Sequence, residues 1–240
     1  MKSNKKTYIF NYSMLFVNLL SLIIAVVMCF FTYYLVNFTG MFDNVMSVFI
    51  NESYFHMVIF IIIMFLWFVL HELIHGLFYR FGGIKKENVT YGIALEKGIF
   101  FCKCSEFIGK KSIFMSLLAP FIILGVITYI FGFIFRQGWL IVLSVMNIIG
   151  CAGDLAMFFF FFYRKDDIEF MELGDSTKFY LKTSEELNDK KFLSVKLEDV
   201  VLDKNIEEEK TKKINITKAS WYILIIFIVI LFLFTLLEFM

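Results

Sequence analysis

The sequence predicts a polytopic membrane protein, an all-α fold of about five transmembrane helices with a small cytosolic hairpin and a mixed cytosolic segment. Three observations predict it. Of the 240 residues 60% are hydrophobic and mean hydropathy is +0.77, far outside the range of soluble domains. Five apolar runs are long enough to cross about 30 Å of hydrocarbon. The charges are segregated: 22 of the 23 Lys and Arg residues fall in segments that one threading of those runs places on a single side.

The runs cover residues 13–36, 54–81, 112–135, 139–163 and 219–239. The first follows Lys2, Lys5 and Lys6 as a secretory signal would, yet it is far longer than a signal core and no small-x-small site closes it. It reads as a retained span. With the N-terminus in the cytosol only Arg136 lies outside, which makes the C-terminus external and the chain an integral protein of a bacterial-type cell membrane. The chain divides into residues 1–53 (first span and outer loop), 54–163 (membrane core), 164–218 (cytosolic segment) and 219–240 (last span).

Between the second and third spans, the β-prone runs 89–95 and 99–104 flank Glu96-Lys97-Gly98, the pattern of a hairpin just inside the membrane. Such a hairpin either covers the membrane core or holds an extended peptide by backbone pairing. The segment 164–218 carries 12 basic and 14 acidic residues, and its alternation at 168–173 and 192–197 suggests a few strands in a small lobe. A formal charge of +1 gives no basic field for nucleic acid. Cys29, Cys102, Cys104 and Cys151 are too few and too scattered for a disulfide framework, so they read as thiols; Cys102-Lys103-Cys104 is a weak metal signal.

The deep ionisable residues form one short list. Spans one and three carry none, and span five has only Glu238 at its end; span two has His71, Glu72 and His75, with His56 at its entrance, and span four has Asp154. Charges at the centre of a span cost about 2.5 to 3.5 kcal/mol, so they are seldom retained without a role. His71 and His75 are four apart and share one helix face, where two imidazoles can hold zinc, and Glu72 between them can act on water at that ion. His75 lies six residues before the inner end of its span and Asp154 nine before the end of its own. The difference is about 5 Å, which tilt absorbs, so Asp154 is the expected third ligand. His71, His75 and Asp154 are thus the candidate zinc ligands, with Glu72 as general base.

Asn147, Cys151 and Asp154 fall on one stripe of span four. Asn147 is a second candidate catalytic group, orienting a substrate carbonyl or oxyanion; support of a ligand or an interhelical hydrogen bond are equally open to it. Cys151 is either a small packing residue or a donor in place of Asp154. His56, about 22 Å from the motif along the helix, reads as interfacial.

His71-Glu72-Leu73-Ile74-His75-Gly76 on one span and Asn147 to Asp154 on a later one resemble the site-2 protease clan of intramembrane zinc peptidases. The likeness is closest to a bacterial family of zincin-type membrane peptidases that share a Leu118-Ala119-Pro120 stretch. It covers roughly 54–163. Gly150 and Leu155 stand where better-known site-2 enzymes have proline and glycine, and the Asn147 to Asp154 spacing is one residue shorter. The resemblance implies zinc-dependent hydrolysis of a membrane protein or peptide within the lipid bilayer. The competing classes are a non-catalytic membrane protein, of transporter or immunity type, and a zinc-stabilised pseudo-protease.

Overall fold

A computed structural model describes residues 6–12, 14–50, 54–94, 99–164, 168–172, 179–184, 191–192 and 195–199. Strand β1 (Lys6–Tyr12) leads into α1 (Met14–Phe38), the short α2 (Phe42–Ile50) and the long α3 (Tyr54–Phe81). A two-stranded hairpin follows, β2 (Val89–Ala94) and β3 (Ile99–Cys104), then β4 (Ile108–Gly109). Next come α4 (Lys110–Pro120), a π-helical stretch Phe121–Ile127, α5 (Thr128–Ile134), α6 (Gly138–Gly150) and α7 (Ala152–Phe162). Strands β5 (Ile168–Glu172), β6 (Phe179–Thr183), β7 (Lys191–Phe192) and β8 (Val195–Asp199) complete the described residues.

Among the described residues, three helical stretches are long and apolar enough to cross a membrane: Leu15–Phe38, His56–Phe81 and Lys110–Ile134. The expected fourth span is two helices, α6 and α7, bent by 48° at Cys151, so the total is four if the bent pair is one crossing. Gly150 and Gly153 flank the bend, and Ser21 of α1 donates its hydroxyl to the Ile149 carbonyl there at 3.2 Å. The expected run 219–239 lies outside the described residues. Apolar side chains such as Leu15, Phe30 and Phe38 stand exposed along α1, the pattern of a helix surrounded by hydrocarbon.

The fold is mostly helical rather than all-α, because six strands form one sheet in the order β4-β5-β6-β1-β8-β7. The lysine-flanked N-terminus is a strand near its centre. Lys6-Thr7-Tyr8-Ile9-Phe10 is rich in β-branched and aromatic residues, and β1 pairs antiparallel with β6 and β8, with Tyr8 opposite Leu181 and Asp199. Sequence periodicity could not reveal this, since the partners lie more than 160 residues away. The sheet also fixes where the helices begin and end. The chain leaves it after β1, returns at β4, departs again through α4, and returns after α7 at β5, which pairs with β4.

Two apolar cores position the site. Ile63, Trp67 and Ile74 of α3 pack with Leu124, Trp139 and Leu143. Below them, Tyr79, Cys102, Cys104, Phe160, Phe161 and Phe170 join α3, the hairpin, α7 and the sheet. The hairpin lies alongside α3. The Phe100 ring meets Phe65 at 5.0 Å between centroids, edge to face, and Phe65 precedes His71 by six residues, roughly 9 Å along the helix.

Candidate metal centre

The long helix α3 carries His71 and His75 one turn apart, and their Nε2 atoms lie 3.1 Å from each other. From the second helix of the bent pair, Asp154 brings Oδ2 to 3.3 Å from the His71 Nε2 and 3.5 Å from that of His75. A tetrahedral zinc with ligands at 2.0 to 2.1 Å has donor atoms about 3.3 Å apart. The spacing therefore fits the ion. No other cluster of three such ligands stands among the described residues.

The chemistry of the three atoms makes the fit stronger. His75 turns Nδ1 toward the Ser116 carbonyl at 3.0 Å, and a carbonyl only accepts, so Nδ1 must carry the proton. Asn147 donates Nδ2–H to the Pro120 carbonyl at 3.0 Å, which leaves Oδ1 facing His71 Nδ1 at 2.9 Å, so that nitrogen is protonated as well. With Nδ1 carrying the proton, each ring in its neutral form presents the Nε2 lone pair to the cluster. Two such acceptors and a carboxylate oxygen converge without a donor among them, an arrangement that a cation resolves.

Local sequence explains the support of His75. A helical residue at 120 would send its N–H to the Ser116 carbonyl, four residues back; Pro120 has no N–H, so that carbonyl stays open to the imidazole. The Ser116 hydroxyl closes the contact by donating to the His75 carbonyl at 3.2 Å. The π-helical stretch begins at the next residue, Phe121. Neither Ser116 nor Pro120 was singled out as a site residue from the sequence, although a proline inside an apolar run is a visible signal of a freed carbonyl.

Glu72 lies on the same turn within the field of His71, His75 and Asp154, and its carboxylate accepts the Cys102 backbone N–H of β3. The register explains why that N–H is available. Ser105 donates to Asn88 at 2.9 Å, so the pairs 90/103, 92/101 and 94/99 exchange ladder bonds. Residues of the intervening pairs, Tyr91 with Cys102 among them, direct N–H and C=O away from their partner strand.

The remaining candidates are accounted for. Asn147 is buried at 1% exposure with both ends of its amide engaged, so of its open roles the structure displays the interhelical bond and the support of His71. Cys151 is buried at the bend, where its sulfur accepts from Asn147 Nδ2 at 3.6 Å; it is not one of the three clustered ligands. His56 lies exposed on the first turn of α3, remote from the cluster. Cys102 and Cys104 are buried between hairpin and α3 as thiols.

Two histidines of one helix, a carboxylate from another and a glutamate beside them form an arrangement similar to that of zincins, which hold zinc with such a set. Residues 64–168 match a family model whose description reads "Putative zincin peptidase", and the match includes all three clustered residues, Glu72 and Asn147. This stretch is similar to that family. No curated protein and no solved structure matches the chain.

Proposed function

We propose that the protein is a zinc-dependent intramembrane peptidase that hydrolyses peptide bonds of membrane-associated substrates. The observation that carries this reading is the convergence of three acceptor atoms, with Glu72 held beside them. Zinc, when bound, supplies a Lewis acid that polarises a carbonyl and brings the pKa of its water to about 7. His71, His75 and Asp154 would hold the ion. Glu72 removes a proton from water as it attacks the peptide carbonyl and returns that proton to the departing amine. Asn147 and the Ser116 carbonyl keep each imidazole turned toward the ion, so Asn147 acts as a positioning residue.

The hairpin supports an extended substrate. Phe100 and Cys102 turn backbone groups away from β2 beside Glu72, and apart from the Cys102 N–H that Glu72 takes, these are the edge groups that a substrate strand would pair with. An unwound substrate segment pairing there satisfies that edge and presents its carbonyl to the centre.

The sheet also supports an orientation. Because β1, β4 and β5 belong to one sheet, an outward and return path through α1 and α3 and another through α4 to α7 support reading the bent pair as a single crossing. The positive residues put the sheet in the cytosol. A cysteine introduced at position 136 should react with an impermeant thiol reagent in intact cells while one at 184 stays protected. The opposite pattern would reverse the orientation.

The decisive experiment compares wild type with Glu72→Gln, as full chains in lipid, against a panel of membrane-spanning peptides. The variant should retain about one zinc per chain and lose roughly 10²- to 10⁴-fold in turnover. Equal turnover removes Glu72 from the mechanism. Zinc binding without any hydrolysis by wild type favours the pseudo-protease, and absence of zinc binding sinks the enzyme reading.

A further inference from the structure

Gly76 stands directly after His75 and one turn beyond Glu72 on the same face of α3. A methyl group built on it would overlap the hydroxyl and ring of Tyr91, so the missing side chain is a notch that Tyr91 of β2 occupies. Tyr91 is opposite Cys102 in the hairpin register, the two side chains share the face turned to α3, and hydroxyl and thiol are hydrogen-bonded. The Cys102 backbone N–H, in turn, is the one Glu72 accepts. A chain of direct contacts therefore runs from the notch through Tyr91 and Cys102 to the carboxylate. The metal ligands are fixed by other partners, Asn147 and Ser116.

We propose that Tyr91, seated against Gly76, is a positioning residue for the general base: it docks β3 on α3 at the register in which the Cys102 amide holds Glu72. This rests on the peptidase reading. The seat acts on Glu72 and not on the ion, so disturbing it lowers turnover while zinc binding persists. Alanine at 76 is itself a better helix former than glycine, so damage from that substitution comes from the lost seat and not from α3.

The test uses the full chain in lipid and reads turnover, zinc content, and alkylation of Cys102 by N-ethylmaleimide, mapped by mass spectrometry. In wild type Cys102, 6% exposed, should be protected. Gly76→Ala should cut kcat at least tenfold with KM within twofold and zinc content unchanged, and should speed Cys102 alkylation at least tenfold. Tyr91→Leu, which vacates the notch and removes the hydroxyl from Cys102, should likewise cut kcat at least tenfold with zinc content unchanged and speed Cys102 alkylation. An active Gly76→Ala variant with Cys102 still protected overturns the proposal, as does a Tyr91→Leu variant with wild-type turnover and protection. Wild-type protein that hydrolyses nothing overturns the peptidase reading instead, and Cys102 protection then still reports whether the seat docks β3.

Discussion

His71 donates its Nδ1–H to Asn147 Oδ1 across 2.9 Å, so a residue 76 positions further along the chain sets the direction of a metal-facing nitrogen. The same amide is anchored by its donation to the Pro120 carbonyl, which prevents the alternative orientation that would offer His71 a donor. Removing it frees the ring. Asn147→Ala should weaken zinc binding by about 10- to 100-fold, measured by competition with a chromophoric chelator. Asn147→Asp keeps an acceptor for His71 and loses the donor to Pro120, so its affinity should fall between the two. Wild-type affinity in Asn147→Ala would show that the imidazole is held without it.

Pro120 offers a subtler test of the same logic on the other histidine. Pro120→Ala supplies an N–H that can claim the Ser116 carbonyl, in competition with His75. Zinc affinity should drop several-fold although the helix itself gains a hydrogen bond. Ser116→Ala keeps the carbonyl and loses only the hydroxyl contact, so its affinity should stay within about threefold of wild type.

With both rings neutral, three facing acceptors make the metal-free centre unfavourable. Zinc at 100 times its Kd should stabilise wild type by about 2.7 kcal/mol, read as a rise in the thermal unfolding midpoint in detergent. Asp154→Asn places an amide donor against the two imidazole nitrogens. That variant should lose the zinc-dependent rise and, stripped of metal, should be about 1 kcal/mol more stable than stripped wild type. Equal metal-free stabilities would mean that the cluster is already relieved in another way.

Glu172, at the end of β5, carries the clearest pH signature outside the spans. Burial pushes its carboxyl from 4.5 up to about 8; Lys103 opposes the rise, while Glu72 and Asp154 add to it. The folded state thus holds this proton more tightly than the unfolded chain does. The resulting stability is fully present below the unfolded value and is lost as pH rises through about 8. Between pH 6 and 9 the wild-type midpoint should fall, and Glu172→Gln should flatten that fall by an amount worth on the order of a few kcal/mol. Parallel curves for the two proteins would show that Glu172 is ionised when folded.

The sequence by itself determined whatever depends on neighbouring residues. Transfer of an apolar run into hydrocarbon is a local free energy, so α3 was readable over its full length and α1 to within a couple of residues at each end. The His71, Glu72 and His75 arrangement needs only the period of one helix, and Asp154 could be added because few ionisable residues lie deep in the spans. What the tertiary structure alone decided depends on partners distant in sequence. Strand β1 finds β6 and β8, the hairpin lies along α3 beside the motif, Asn147 serves His71, and the carbonyl freed by Pro120 serves His75. Hydrogen-bond partnership and strand register are settled by which groups meet in space, and neither hydropathy nor periodicity carries that information.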